Sequence, residues 1–149
     1  MTAATASSST TVDRRKPTWD GVSVGAAMIR EQKTSGPATL VADARAFFLN
    51  DHVHALLVVY RAVLISVVER GDLVGSADAL LAAEVGRLTG RTVTEAADAG
   101  ELLRQMNESG RRRFAVVDDM GRLVGLLCRK RSGTGFCSDE GVRQRRPQR

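Results

Sequence analysis

Residues Gly110 to Arg131 read GRRRFAVVDDMGRLVGLLCRKR. Phe114–Val117 and Leu123–Cys128 are two short apolar runs, and Asp118-Asp119-Met120-Gly121 lies between them. Acids open a turn and glycine accepts an awkward backbone angle, so the stretch predicts a β-hairpin. Just upstream, Asp98 to Ser109 predicts a helix. Asp98 stands at the cap, Glu101 three residues on, Leu102, Leu103 and Met106 form the apolar stripe, and Gly110 closes it. The unit is helix, strand, turn, strand.

A worn second copy lies earlier in the chain. Ala44–Asn50 is helical in character, Leu56–Val59 and Val63–Val68 read as strands, and a tight turn falls near Tyr60-Arg61-Ala62. Val59 and Val117 are 58 positions apart, whereas Ser66 and Gly125 are 59 apart, so the first turn is one residue shorter. Turns tolerate such a deletion most easily. Two α-β-β units, each too small to bury its own core, predict a pseudo-symmetric pair.

FAVVDDMGRLVGLL resembles the signature hairpin of a CBS domain, and the doubled unit resembles a CBS pair, the Bateman module, from Val22 to Arg131. The pieces REQKTSGPATLVADARAFFLNDHVHALLVV and LLCRKRSGTGFCSDEGV further resemble small free-standing CBS-pair proteins of actinobacterial type. The fold so implied is α/β (α+β): two tandem β-α-β-β-α repeats packed with pseudo-two-fold symmetry. The second repeat lacks a clear final helix, because Gly133 and Gly135 weaken one where the family has it. Repeat one is expected over residues 19–75 and repeat two, with its connector, over 76–135. A disordered Ser/Thr-rich lead-in is expected over 1–18 and a basic tail over 136–149.

Before the first hairpin, Asp20–Glu31 is expected to be a short helix and Thr39-Leu40-Val41 an edge strand. The helix over Ala42–Asn50 is expected to bury Ala46, Phe47 and Leu49. Asp78–Leu88 is expected to be a helical connector with Leu80, Leu81, Val85 and Leu88 on its apolar side, followed by an edge strand at Thr92-Val93.

With 149 residues and 43% hydrophobic content, the chain can bury one compact core built on Val, Leu and Ala. It contains no apolar run of about 18 residues, so no membrane span is expected. Its N-terminus has no apolar segment of secretory type. Cys128 and Cys137, nine apart with no ligand partner nearby, predict reduced thiols in a cytoplasmic protein rather than a disulfide or zinc site. The net charge of +5 is concentrated partly in the tail 143–149, with four arginines in seven residues. That tail is expected to be solvated, with nonspecific nucleic-acid contact a weaker alternative.

No catalytic motif is present: no nucleophile elbow, no Walker loop, no dinucleotide glycine fingerprint and no HExxH. The chain is therefore expected not to be an enzyme and to require no cofactor. His52 and His54 share a strand face, with only Asp51 beside them, too few for a metal site.

Binding is the function that the resemblance implies. In the CBS family, adenosyl nucleotides (AMP, ADP, ATP, NAD and S-adenosylmethionine) lie in clefts between repeats. A Gly-apolar-apolar-Thr/Ser-x-x-Asp segment supplies an acid for the ribose. By this resemblance Ser66, Glu69 and Asp72 are the repeat-one candidates, with Asp72 the ribose acceptor and Glu69 in place of the usual hydroxyl. Repeat two keeps Gly125 but has Cys128 for the hydroxyl and Arg131 for the acid, so its ribose site is expected to be lost. A carboxylate can accept two vicinal hydroxyls and arginine cannot. His54 and Arg112, with Arg113, match family positions that contact phosphate, and Arg131 is a further phosphate candidate. Lys33 and Thr34 are expected near a cleft. The alternative is a structural adaptor with degenerate sites. Either class implies a homodimer, and a sensor implies a regulated partner protein.

Overall fold

The computed structural model describes residues 18–139. The expected lead-in up to residue 17, and residues 140–149 of the expected basic tail, lie outside them. In chain order the elements are α1 (Val24–Ala27), β1 (Thr34–Ser35), α2 (Val41–Phe47), β2 (Leu56–Tyr60), β3 (Val63–Val68), a 3-10 turn (Arg70–Leu73), α3 (Ala82–Val85), β4 (Thr92–Thr94), α4 (Ala99–Ser109), β5 (Arg113–Val117) and β6 (Leu123–Cys128). They form two three-stranded sheets, β1-β2-β3 and β4-β5-β6.

The sheets are copies of one another. Thr34 pairs in parallel with Leu57 as Thr92 does with Ala115, and each hairpin is antiparallel with one register irregularity, at Val58/Val59 and at Val116/Val117. The duplicated α/β unit expected from the sequence is therefore present. No helix forms between Cys128 and Ser138.

Each repeat lends its opening helix to the other. Val24, Ala27 and Met28 join Leu102, Met106, Phe114, Val116 and Leu127 in the core of repeat two. Ala82 and Val85 instead complete the core of Val41, Ala44, Phe48, Leu56 and Val58 in repeat one. The exchange continues in the backbone. Ile29 trades hydrogen bonds with Leu126 (2.8 and 2.9 Å), and Arg87 trades them with Val67 (3.1 and 3.3 Å). Between the sheets, Leu57, Leu64, Val67 and Ala115 form a shared apolar layer. The hairpin tips also pair, Leu64 N–H donating to Gly121 O and Leu123 N–H to Ala62 O.

Helix α4 forms as its sequence dictates. The Asp98 carboxylate accepts from Glu101 N–H (2.9 Å), Leu102 and Met106 are buried, and Gly110 ends the helix at φ 78°.

Elsewhere local expectations are corrected. The helix expected over 20–31 is a single turn, because Met28 becomes extended (φ −78°, ψ 158°) to deliver Ile29 to β6. The edge strand of repeat one is Thr34–Ser35 rather than Thr39–Val41, since the Asp43 carboxylate accepts from Leu40 N–H and starts α2 there. Helix α2 buries Val41, Ala44 and Phe48, leaving Leu49 83% exposed. The connector is helical only over Ala82–Val85, and Leu80, Leu81 and Leu88 remain partly exposed. Its Ala82 N–H and Val41 N–H are spent on Thr39 O and Leu80 O across the repeat boundary, which bends the segment out of a continuous helix.

The cysteines are also corrected. Cys128 and Cys137 form a disulfide, with Cα atoms 5.4 Å apart. The chain folds back after β6: Arg129 and Phe136 pair as an antiparallel bridge, and Cys137 N–H donates to Cys128 O at 2.7 Å. Phe136 is 5% exposed and meets Trp19 edge-on at 5.0 Å. The segment expected to begin a tail at 136 thus belongs to the core of repeat two.

Candidate functional site

The pseudo-two-fold arrangement creates two clefts, each between the hairpin end of one repeat and the β1- or β4-side segment of the other. The first has a volume of about 250 Å³. Ile29, Phe47, Leu57 and Leu126 give it apolar walls, and Lys33, His54 and Arg113 stand at its polar side. It leads into a basic bowl formed by His52, His54, Arg112, Arg113, Lys130 and Arg131, with Cys137 at its edge. These side chains come from both repeats. The residues before β2 supply the histidines, the start of β5 supplies two arginines, and the fold-back after β6 supplies Lys130 and Arg131.

The bowl carries a strong positive field, and His54 registers it. Its pKa is lowered from 6.5 to about 4, first by burial and then by repulsion from Arg113, Arg112, Arg70 and His52. The imidazole is therefore neutral near pH 7 and would be recharged by an anion placed beside it. Several guanidinium groups are also held in position by backbone oxygens: Arg112 Nε donates to Arg129 O, and Arg113 Nη1 to Arg112 O. Such positioning reduces what an anion would have to order.

In the second cleft the acids are occupied by the protein itself, while the outer part stays open as a concavity of about 380 Å³ beside Glu69, Arg70, Arg111 and Arg112. Arg91, 4% exposed, donates from Nη1 to Asp72 Oδ2 (2.6 Å) and to Val67 O (2.7 Å), and from Nη2 to Asp72 Oδ1 (3.1 Å). It also stands 3.5 Å from Glu69, whose other oxygen pairs with Arg111. Burial works to raise the Asp72 pKa, but hydrogen bonds from Arg91 and from Glu69 N–H outweigh it and hold the carboxyl below its usual range. The same pair raises Arg91 above its ordinary value.

The structure thus brings His54, Lys33, Arg113, Arg112 and Arg131 to one connected cleft and bowl. Asp72 and Glu69 lie in the opposite cleft, where Asp72 faces Arg91 and opens the 3-10 turn by accepting from Glu69 N–H (2.7 Å). Ser66 is fully buried on β3, its Oγ without a hydrogen-bond partner and covered by the backbone of Gly86. Thr34 is exposed and pairs with Leu57 at the sheet edge beside Lys33. Sequence reasoning missed Arg91 and Lys130. The repeat offset held the signal for Arg91, which stands 58 positions after Lys33. Among the described residues no cluster of three or more His, Cys, Asp or Glu side chains could hold a metal ion, and no helix is long and apolar enough to cross a membrane.

The family model for the CBS domain matches residues 91–131. Among solved structures, CBSX2 in complex with AMP is similar over 76% of this chain and 93% of its own, at 23% identity and a TM-score of 0.62. The CBS-pair domain of a putative Mg2+ transporter from Shewanella oneidensis MR-1 is similar over 82% of this chain and 70% of its own, at 20% identity and a TM-score of 0.64. The CBS domain of a bacterial CNNM/CorC family Mg2+ transporter in complex with ATP covers 74% of this chain and 83% of its own, at 20% identity and a TM-score of 0.57. No curated protein matches the chain by sequence. The fold is that of a CBS-domain pair. Residues 91–131 carry the family's own sequence pattern in the second repeat, and the first repeat shares its topology and register.

Proposed function

We propose that the chain is a non-catalytic regulatory module that binds an adenosyl nucleotide in the first cleft and thereby alters its association with a partner protein. One observation carries this reading: six basic or imidazole side chains from both repeats converge on a bowl continuous with an apolar slot. That division of chemistry suits a ligand with a flat apolar end and an anionic end. CBS-pair relatives solved with AMP and with ATP support it. Lys33, His54, Arg112, Arg113 and Arg131 are the proposed ligand residues, with Thr34 at the cleft edge. Arginine at position 131, where the family has its ribose acid, shifts recognition from the ribose to the phosphates. Cytoplasmic location, a homodimer through the flat faces of the pair, and the free-standing, actinobacterial-type character that the flanking pieces resemble are part of the same proposal.

The adaptor reading retains one specific support, the Arg91 plug in the second cleft. There Asp72, Ser66 and Glu69 serve the fold, so a single ligand per chain is expected. Titration calorimetry against AMP, ADP, ATP, NAD and S-adenosylmethionine tests this directly. Arg131→Glu should weaken binding at least tenfold, from the lost charged hydrogen bond of about 1.5–3 kcal/mol. Asp72→Asn should leave affinity unchanged in whatever fraction of the protein folds. No heat with any of the five ligands would favour the adaptor.

The reading also fixes a pH dependence. Free His54 is neutral down to about pH 4, and a bound anion raises its pKa. Binding therefore takes up a proton, and affinity should rise as pH falls from 7 toward 5. Affinity that is flat or falling over that range, with a ligand whose own charge is constant there, would remove His54 from the site.

A further inference from the structure

We propose that the Cys128–Cys137 pair is a thiol–disulfide switch that sets the anion affinity of the basic bowl, an inference that rests on the ligand site proposed above. The two half-cystines lie on the two parts of that site, Cys128 on the wall of the apolar cleft and Cys137 at the edge of the bowl. The residues between them are the ones that carry Lys130 and Arg131 into the bowl.

That loop is anchored by hydrogen bonds at its tip and at its base, and by one covalent tie. Its tip is tied to α4, where Asn107 Nδ2 donates to Gly133 O and Arg129 Nη1 donates to Asn107 Oδ1. Its turn is closed by Gly133 N–H to Lys130 O and Lys130 N–H to Gly135 O, both 2.9 Å. At its base the disulfide is joined by Cys137 N–H to Cys128 O, by the Phe136–Trp19 contact, by Arg129 N–H to Arg112 O, and by Asp139, which accepts from Arg30 and Glu31 N–H. Lys130 and Arg131 themselves are exposed. Opening the disulfide leaves these hydrogen bonds and the core in place but removes the covalent tie between the cleft wall and the bowl's edge, so the loop that carries the two cations is free to shift against the bowl.

The exchange balances with a small dithiol as the reductant. Its thiolate attacks the Cys137 sulfur, the more exposed of the two at 6% against 1%, once the loop opens. The S–S bond breaks, Cys128 departs as a thiolate and takes up a proton, and the dithiol's second thiol then displaces Cys137 to leave a cyclic small-molecule disulfide. A low-molecular-weight disulfide drives the reverse reaction. Because coupling is reciprocal, a ligand that prefers the oxidised form must make that form harder to reduce by the same factor.

The experiment uses the whole chain and ATP as the probe. ATP affinity is measured for the oxidised protein, for the protein reduced with dithiothreitol, and for Cys137→Ser, with Trp19 fluorescence reporting the fold. The position of the exchange equilibrium in a dithiothreitol buffer is then measured with and without saturating ATP. Reduced wild type and Cys137→Ser are both expected to stay folded and to bind about tenfold more weakly. ATP is expected to move the exchange midpoint by the same factor, about 30 mV for a two-electron couple. Equal affinity in oxidised and reduced forms overturns the switch and leaves the nucleotide reading standing. Absence of ATP binding in every form overturns both. A reduced chain that unfolds makes the disulfide a structural staple and also overturns the switch.

Discussion

The two clefts occupy equivalent places in two copies of one unit, yet the first keeps an open apolar slot and the second has an internal ion pair on its inner side. The difference reduces to a few residues. Lys33 in the first cleft corresponds to Arg91 in the second, Cys128 to Glu69, and Arg131 to Asp72. Where the second cleft has an arginine opposite two acids, the pair collapses into a buried bidentate ion pair. Where the first cleft has a lysine and arginine with no acid at those positions, like charges hold apart and the concavity persists. Duplication supplied the symmetry, and charge substitution decided which half kept an open inner slot.

The same exchange of roles appears in packing. Ser66 on β3 leaves room only for glycine at position 86, where a Cβ would lie 2.5 Å from its Oγ. In the other half the glycine is on the strand: Gly125 admits Met28, whose Sδ would lie 2.4 Å from a Cβ there. Each crossing keeps one small residue, on opposite sides.

The largest effect should come from separating the clefts at their corresponding basic positions. Arg91→Met strands the Asp72 carboxylate, whose side chain is 9% exposed, and should cost about 3–5 kcal/mol. Lys33→Met, at the matching but exposed position, should change stability by no more than about 0.5 kcal/mol. Urea unfolding of both variants measures the contrast. Arg91→Met/Asp72→Leu should recover much of the loss, since an apolar pair replaces a buried ion pair at little cost. Equal losses for the two single variants would mean that the second cleft is not closed by this pair. The depressed Asp72 pKa adds a sign: its contribution is present above the unfolded carboxyl value of about 3.9 and is lost as pH falls through the lower folded value.

A smaller effect should follow from the covalent tie that only repeat two possesses. The disulfide closes a loop with a sequence separation of nine, which constrains the unfolded chain by about 2–3 kcal/mol. Cys137→Ser should therefore lower the urea midpoint. No change on removal would show that the fold-back of Arg129–Cys137 is held by Phe136 and its backbone bonds alone.

These differences show which parts of the molecule its sequence discloses. Both hairpins and α4 were legible because their causes are local: alternating or apolar runs, an Asp cap and a stopping glycine. The exchanged helices α1 and α3 were placed but drawn too long, over 20–31 and 78–88, since four residues show no periodicity and each is held by the other repeat. The edge strand Thr34–Ser35 could have been found by subtracting the repeat offset from Thr92, a stronger guide than its weak local pattern. Of the candidate residues, the cations before β2 and β5 converge because the unit's symmetry brings those positions together. The partner of Asp72 stayed hidden because Arg91 is 19 positions away and on the other repeat, where only the fold relates them.

The smallest predicted effect concerns the two hairpin tips, which are exposed, pair with one another and solve one turn problem differently. In repeat one the two-residue turn places Arg61 at φ 51° and Ala62 at φ 72°, both left-handed without glycine. In repeat two the turn is longer and Gly121 takes the left-handed position, at φ 79°. A left-handed L-residue costs about 1–2 kcal/mol, against about 1 kcal/mol or less for the extra unfolded-state freedom of glycine. Ala62→Gly should therefore stabilise by about 0.5–1 kcal/mol. It leaves Arg61 in place over the Tyr60 ring, 5.1 Å from its centroid, and removes no backbone donor or acceptor. Gly121→Ala should destabilise by about 1 kcal/mol, because an added Cβ meets nothing nearer than Val63 Cγ1 at 3.9 Å and only the backbone angle is strained. Paired urea titrations of the two variants should thus move in opposite directions from the parent. Movement in the same direction would mean that the tip-to-tip pairing of Leu64 with Gly121 and of Leu123 with Ala62, rather than local backbone strain, governs the stability of this contact.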